Sequence, residues 1–94
     1  MSVVIVGGND RMITRYKDIC KSYKCKAKVF THMVSNFYSQ IGTPDLFVLF
    51  TDTVSHKMTT TVKLRASKEE IPIVIAHSAS VNSLKNLLEE HCIK

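Results

Sequence analysis

Apolar residues along the chain fall into two kinds of run, and the two alternate. Val3 to Val6, Leu46 to Phe50 and Ile71 to Ala76 are continuous apolar stretches, as expected of strands covered on both faces. Ala27 to Phe30 is shorter and carries Lys26 and Lys28 close by, which predicts an edge strand. Between these runs the apolar spacing changes to three and four. Met12, Ile13, Tyr16, Ile19, Cys20 and Tyr23 form one helical stripe, and Val34, Phe37, Tyr38 and Ile41 predict a short second helix that stops at Gly42-Thr43-Pro44. Ser55 to Glu70 places Met58, Val62 and Ala66 on one face, and Val81, Leu84, Leu87, Leu88 and Cys92 mark a last helix.

Four strands alternating with four helices through short connections predict a parallel sheet, because right-handed crossovers return the chain to the same end of the sheet. The expected strand order is 2-1-3-4, in an α/β sandwich with helices on both faces. With strand two on one side of strand one and strand three on the other, the crossovers diverge and open a crevice at the carboxyl ends of strands one and three. Two loops line it: Gly7, Gly8, Asn9, Asp10 and Arg11, and Thr51, Asp52, Thr53, Ser55, His56 and Lys57.

At 94 residues the chain is expected to be a single domain, 1–94, burying only roughly 60 to 65% of the surface its unfolded form exposes, so self-association into a homo-oligomer would help it. No run of about 18 apolar residues is present to span a bilayer, and no signal peptide is expected ahead of the first strand. Cys20, Cys25 and Cys92 are odd in number and lack C-x-x-C spacing, which fits reduced structural thiols in a cytoplasmic protein. The net charge of +5 is concentrated in Lys17, Lys21, Lys24, Lys26 and Lys28. Lys17, Lys21 and Lys24 repeat at helical spacing, so a nucleic-acid or protein adaptor is an alternative function, although such a stripe is more often only a solvated face.

The opening "VVIVGGNDR" has the strand, glycines and helix start of a phosphate cradle. A dinucleotide fingerprint would need a third glycine and an acid after strand two, where Thr31-His32 stands instead, and no G-K-[ST] follows to make a P-loop. What remains is a tight turn in which glycine lets the backbone approach something, with Asn9 or Asp10 as the helix cap. "FTDTVSHK", residues 50–57, is more distinctive. Ser55 or Thr53 is a candidate cap, while His56 and Lys57 put positive charge at the wrong end of a helix dipole, a placement that points to an anionic ligand or an acidic partner. Residues this close in sequence do not readily assemble a Ser-His-Asp triad.

His32 and His77 end strands two and four, three spacings of about 4.8 Å or roughly 14 Å apart, too far to share a zinc ion. Asp10 and Asp52 form a better pair, able to hold Mg²⁺ in the way of phosphoreceiver domains, with His56 as general base of a phosphoester hydrolysis. This catalytic reading is secondary to binding, and the sequence specifies no cofactor.

The glycine pair, the strand-end histidine, "TDTVSHK" followed by Val62-Lys63, and "HSASVNSL" at 77–84 together resemble the bacterial domain-of-unknown-function family 2325 over essentially the whole chain. The order and spacing of Asp52, Ser55, His56 and Lys63 carry the resemblance. The chain departs from the family pattern in lacking cysteines around the aspartate and after the lysine, and in having Met33-Val34 after the histidine. The resemblance implies a small Rossmann-like or flavodoxin-like domain with a common site. On these residues the expected function is binding of a small anionic or phosphorylated ligand in a regulatory role, by Gly7, Gly8, Asn9, Asp10, Arg11, Asp52, Ser55, His56, Lys63 and Ser78, with no metal.

Overall fold

The structure, a computed structural model, describes residues 1–91. Its strands are β1 (Ser2–Val6), β2 (Lys26–Phe30), β3 (Leu46–Phe50) and β4 (Ile73–Ala76), and its helices are α1 (Ile13–Ser22), α2 (Phe37–Ile41), α3 (His56–Glu69) and α4 (Val81–His91). A 3-10 turn, Asp10–Met12, leads into α1. All strand pairs are parallel and the order is β2-β1-β3-β4, as the alternation of strand and helix requires.

Strand alternation divides the core between the two faces of the sheet. Val3, Ile5, Leu46, Val48 and Phe50 pack with Tyr16, Ile19 and Cys20 of α1 and Leu84 and Leu88 of α4. Val4, Val6, Phe47 and Leu49 meet Phe37 and Ile41 of α2 and Met58, Val62 and Ala66 of α3. Every residue of β3 is buried, which accounts for its unbroken apolar run. Cys20 and Cys25 are buried; Cys92, assigned by the sequence to the last helical stripe, lies outside the described residues.

Two elements differ from the sequence-based expectation. The second helix is one turn, because Val34 lies in an exposed loop and Asn36, in a left-handed conformation, starts the helix only at Phe37. Phe37 packs edge-on against Phe30, and the Arg65 guanidinium sits 4.6 Å from the Tyr38 ring centre, so α2 is held by α3 and β2 more than by its own length. The fourth strand begins at Ile73, two residues late, since the chain leaving α3 must first close the helix through Ile71 N–H to Ala66 C=O. Nor is β4 covered on both faces as its composition suggested: it lies at the sheet edge, and Ile75 is exposed.

Glu70, which ends α3, has φ +58°, in the region where glycine is favoured over residues with a Cβ. Glu70→Gly is expected to stabilise the fold by about 0.5–1 kcal/mol, read as a rise of a few degrees in Tm by thermal melting.

Candidate functional site

Gly7 and Gly8 leave β1 with φ of +105° and +92°. A Cβ on Gly7 would lie 2.9 Å from the Phe50 carbonyl oxygen and 3.1 Å from Thr53 Oγ1, and one on Gly8 would lie 2.7 Å from the Tyr16 ring. What the glycines let the backbone approach is therefore the end of β3 and a buried tyrosine. The donors of this turn are also spent inside the protein. The Gly7 N–H donates to the Phe30 carbonyl at 2.8 Å, the Gly8 N–H to Thr53 Oγ1 at 2.6 Å, and the Arg11 N–H to the Asn9 side chain at 2.9 Å. Asn9, not Asp10, is the cap.

Asp10 instead turns to the end of β2. One carboxylate oxygen accepts from the Thr31 hydroxyl and the other lies 2.7 Å from His32 Nε2. The Thr31 hydrogen bond, then that of His32, holds the Asp10 carboxyl below its ordinary value. A carboxylate that would repel an anion on its own is thus compensated by its neighbours. Thr31 and His32 were not among the sequence-derived site residues. The available signal was a polar pair directly after β2, at the position where a dinucleotide-binding fold carries its acid.

Tyr16 anchors a third loop. Its hydroxyl donates to the Ala79 carbonyl at 2.7 Å, which fixes the 77–80 segment against α1. Burial raises the Tyr16 pKa, a hydrogen bond from the Asn9 backbone opposes the rise, and the nearby Asp52 carboxylate adds to it. The 3.6-residue periodicity had marked Tyr16 as core, which it is, but gave no sign of its polar end.

At the start of α3 the Ser55 hydroxyl accepts from the Met58 N–H at 3.2 Å, the expected cap. Thr53, the other candidate, is engaged with Gly8. The His56 and Lys57 N–H groups lie at the first two helical positions, where no intrahelical acceptor exists. Among the described residues the side chains of Arg11, Asp52, His56, Lys57, Lys63 and Ser78 are exposed and make no hydrogen bond or ion pair. Lys63 stands two turns beyond His56 on the same helical line. Thr51 Oγ1 lies 3.4 Å from His77 Nδ1, and Ser80 caps α4 by accepting from the Ser83 N–H at 3.1 Å. The structure thus joins Asp10 to His32 and Gly8 to Thr53, and leaves the side chains of Asp52, His56 and Lys63 without a hydrogen bond or ion pair. Among the described residues no three His, Cys, Asp or Glu side chains are grouped to hold a metal ion.

A family model described as "Uncharacterized protein conserved in bacteria (DUF2325)" matches residues 2–91. No curated protein and no solved structure matches the chain.

Tyr16→Phe removes the donor to Ala79 while keeping the ring, and is expected to cost about 1–2 kcal/mol in chemical denaturation. Because the folded-state pKa of Asp10 is depressed, its stabilising contribution is present above the ordinary carboxylate value and is lost as pH falls through the folded one. An NMR titration of the Asp10 carboxyl should therefore have a midpoint below that of an unperturbed aspartate, and Thr31→Val should move it upward.

Proposed function

The chain belongs to DUF2325, a family of uncharacterized proteins conserved in bacteria, and from that premise we propose that it is a regulatory binding domain for a small anionic ligand carrying a phosphate or similar group. The observation that carries this reading is the start of α3. Two backbone N–H groups without helical acceptors stand there beside the uncompensated side chains of His56 and Lys57, at the positive end of a 14-residue helix. Cations at this end oppose the helix dipole, and a bound anion would offset that opposition.

The rest of the crevice supports the assignment by being fixed in place. The Gly8 to Thr53 bond ties the β1 turn to the α3 loop, so Gly7, Gly8 and Asn9 act as wall, while Arg11, Asp52, Ser78 and Lys63 supply polar groups around the opening. Asp52 accepts hydrogen bonds only, which suits a hydroxyl of the ligand and not its anionic group. The exposed Lys17 and Lys21 on α1, with Lys24 in the left-handed turn that follows it and so off the helical stripe the sequence predicts, keep nucleic acid as the competing occupant.

Amide chemical shifts would be followed on titration with inorganic phosphate and separately with a nucleoside monophosphate. Shifts centred on His56 and Lys57 are expected for both, with His56→Ala weakening both by roughly fivefold or more, as loss of a charge-assisted contact implies. Asp52→Asn should weaken the nucleotide and spare inorganic phosphate. Shifts confined to Lys17, Lys21 and Lys24, with steep salt dependence, would assign the chain to nucleic acid instead.

A further inference from the structure

The two edges of the sheet are built differently. Along β2 the exposed Lys26 and Lys28 stand on the strand itself, with Lys24 just before it, a pattern that discourages pairing with another strand. Along β4 the sequence Ile73-Val74-Ile75-Ala76 has no charge, no proline and no bulge. Its main chain is open. The Phe47 N–H donates to the Pro72 carbonyl at 3.0 Å and the Thr51 N–H to the Ala76 carbonyl at 2.9 Å, so residues 72, 74 and 76 face β3, and alternation leaves the N–H and C=O groups of Ile73 and Ile75 on the free edge.

The side chains on this edge are uncovered as well. Val6, Leu49 and Ile75 are register neighbours in one row across the sheet, yet their exposures are 0%, 1% and 47%. Helix α3 covers the first two and stops short of the third. It leans the other way, toward α2, where Arg65 lies over Tyr38 and donates to its carbonyl at 3.3 Å.

We propose that the β4 edge is the self-association surface of this domain, with β4 of a second copy pairing antiparallel to it about a two-fold axis. A second copy fits on three counts. Its edge offers the same free N–H and C=O groups, the apolar row ending at Ile75 continues into an identical row, and the flanking charges are complementary under that symmetry. On the flank of α3 opposite Arg65, His56 and Lys63 lie two turns apart on one line, and Glu70, the left-handed residue that closes the helix, follows at its far end. The two-fold axis runs the α3 helices antiparallel and brings Glu70 of each copy toward the His56 end of the other. Lys63 falls at mid-helix, where its long stem lets the ammonium group turn out to water. Two four-stranded sheets then form one continuous sheet, with the two crevices facing opposite directions.

Sedimentation velocity on the full chain, across a wide concentration range, tests this with two variants. Ile75→Lys copies the charge protection of β2, and Ile75→Pro removes the outward N–H while leaving the bonds to β3 intact. Circular dichroism confirms that each variant is folded, and Ile75→Lys, the milder change, serves if the proline variant is not. The wild type is expected to be a dimer, and each folded variant to associate on the order of a hundredfold more weakly, as loss of a central interface anchor does. A monomer at every concentration, or a dimer that survives either substitution in a folded protein, overturns the proposal.

Discussion

Both central strands must be shielded from water on two sides, and the rest of the molecule is arranged to meet that requirement. Val3 to Val6 of β1 and all of β3 are buried. At about 1.5–3 kcal/mol for each fully buried large apolar side chain, these strands are the main source of stability in a small domain. Covering them takes helices on both faces, and helices on both faces require crossovers that diverge between β1 and β3. The point where the crossovers part, at the carboxyl ends of β1 and β3, is thus set by residues packed in the two cores.

The polar chemistry at the carboxyl end of the sheet is organised by hydrogen bonds between loops. Thr53 holds the β1 turn to the β3 loop, Asp10 holds the start of α1 to the end of β2, and Tyr16 holds α1 to the segment before α4. Every loop at the carboxyl end of the sheet is thereby tied to another, except at the beginning of α3, where charged groups remain uncommitted.

Strand order and the alternation of parallel strands with helices were legible in the sequence because they follow from the period of apolar residues and from chain connectivity. The bounds of α2 were not, since the left-handed Asn36 interrupts an apolar spacing that otherwise looks helical. Exposure of Ile75 was hidden for a related reason: an apolar run specifies what wants to be buried, and whether a helix reaches it depends on the lean of α3 set by Arg65 and Tyr38. At the site, the Ser55 cap could be read from local sequence. The pairing of Asp10 with Thr31 and His32, and the reach of Tyr16 to Ala79, join residues distant along the chain and became visible only with the sheet register.

The bond between Gly8 and Thr53 also has a kinetic meaning. β1-α1-β2 and β3-α3-β4 are each local crossover units whose strands pair within the unit, and of the strand ladders the one between β1 and β3 joins one unit to the other. Closing that ladder carries the largest loop entropy, so it belongs to the late part of folding. Gly8 and Thr53 sit at the end of this seam and are bonded across it, so the surface their two loops form does not exist in either half alone. The candidate site is therefore a readout of the completed fold: any opening that separates the two halves parts the loops that compose it, whichever half remains structured.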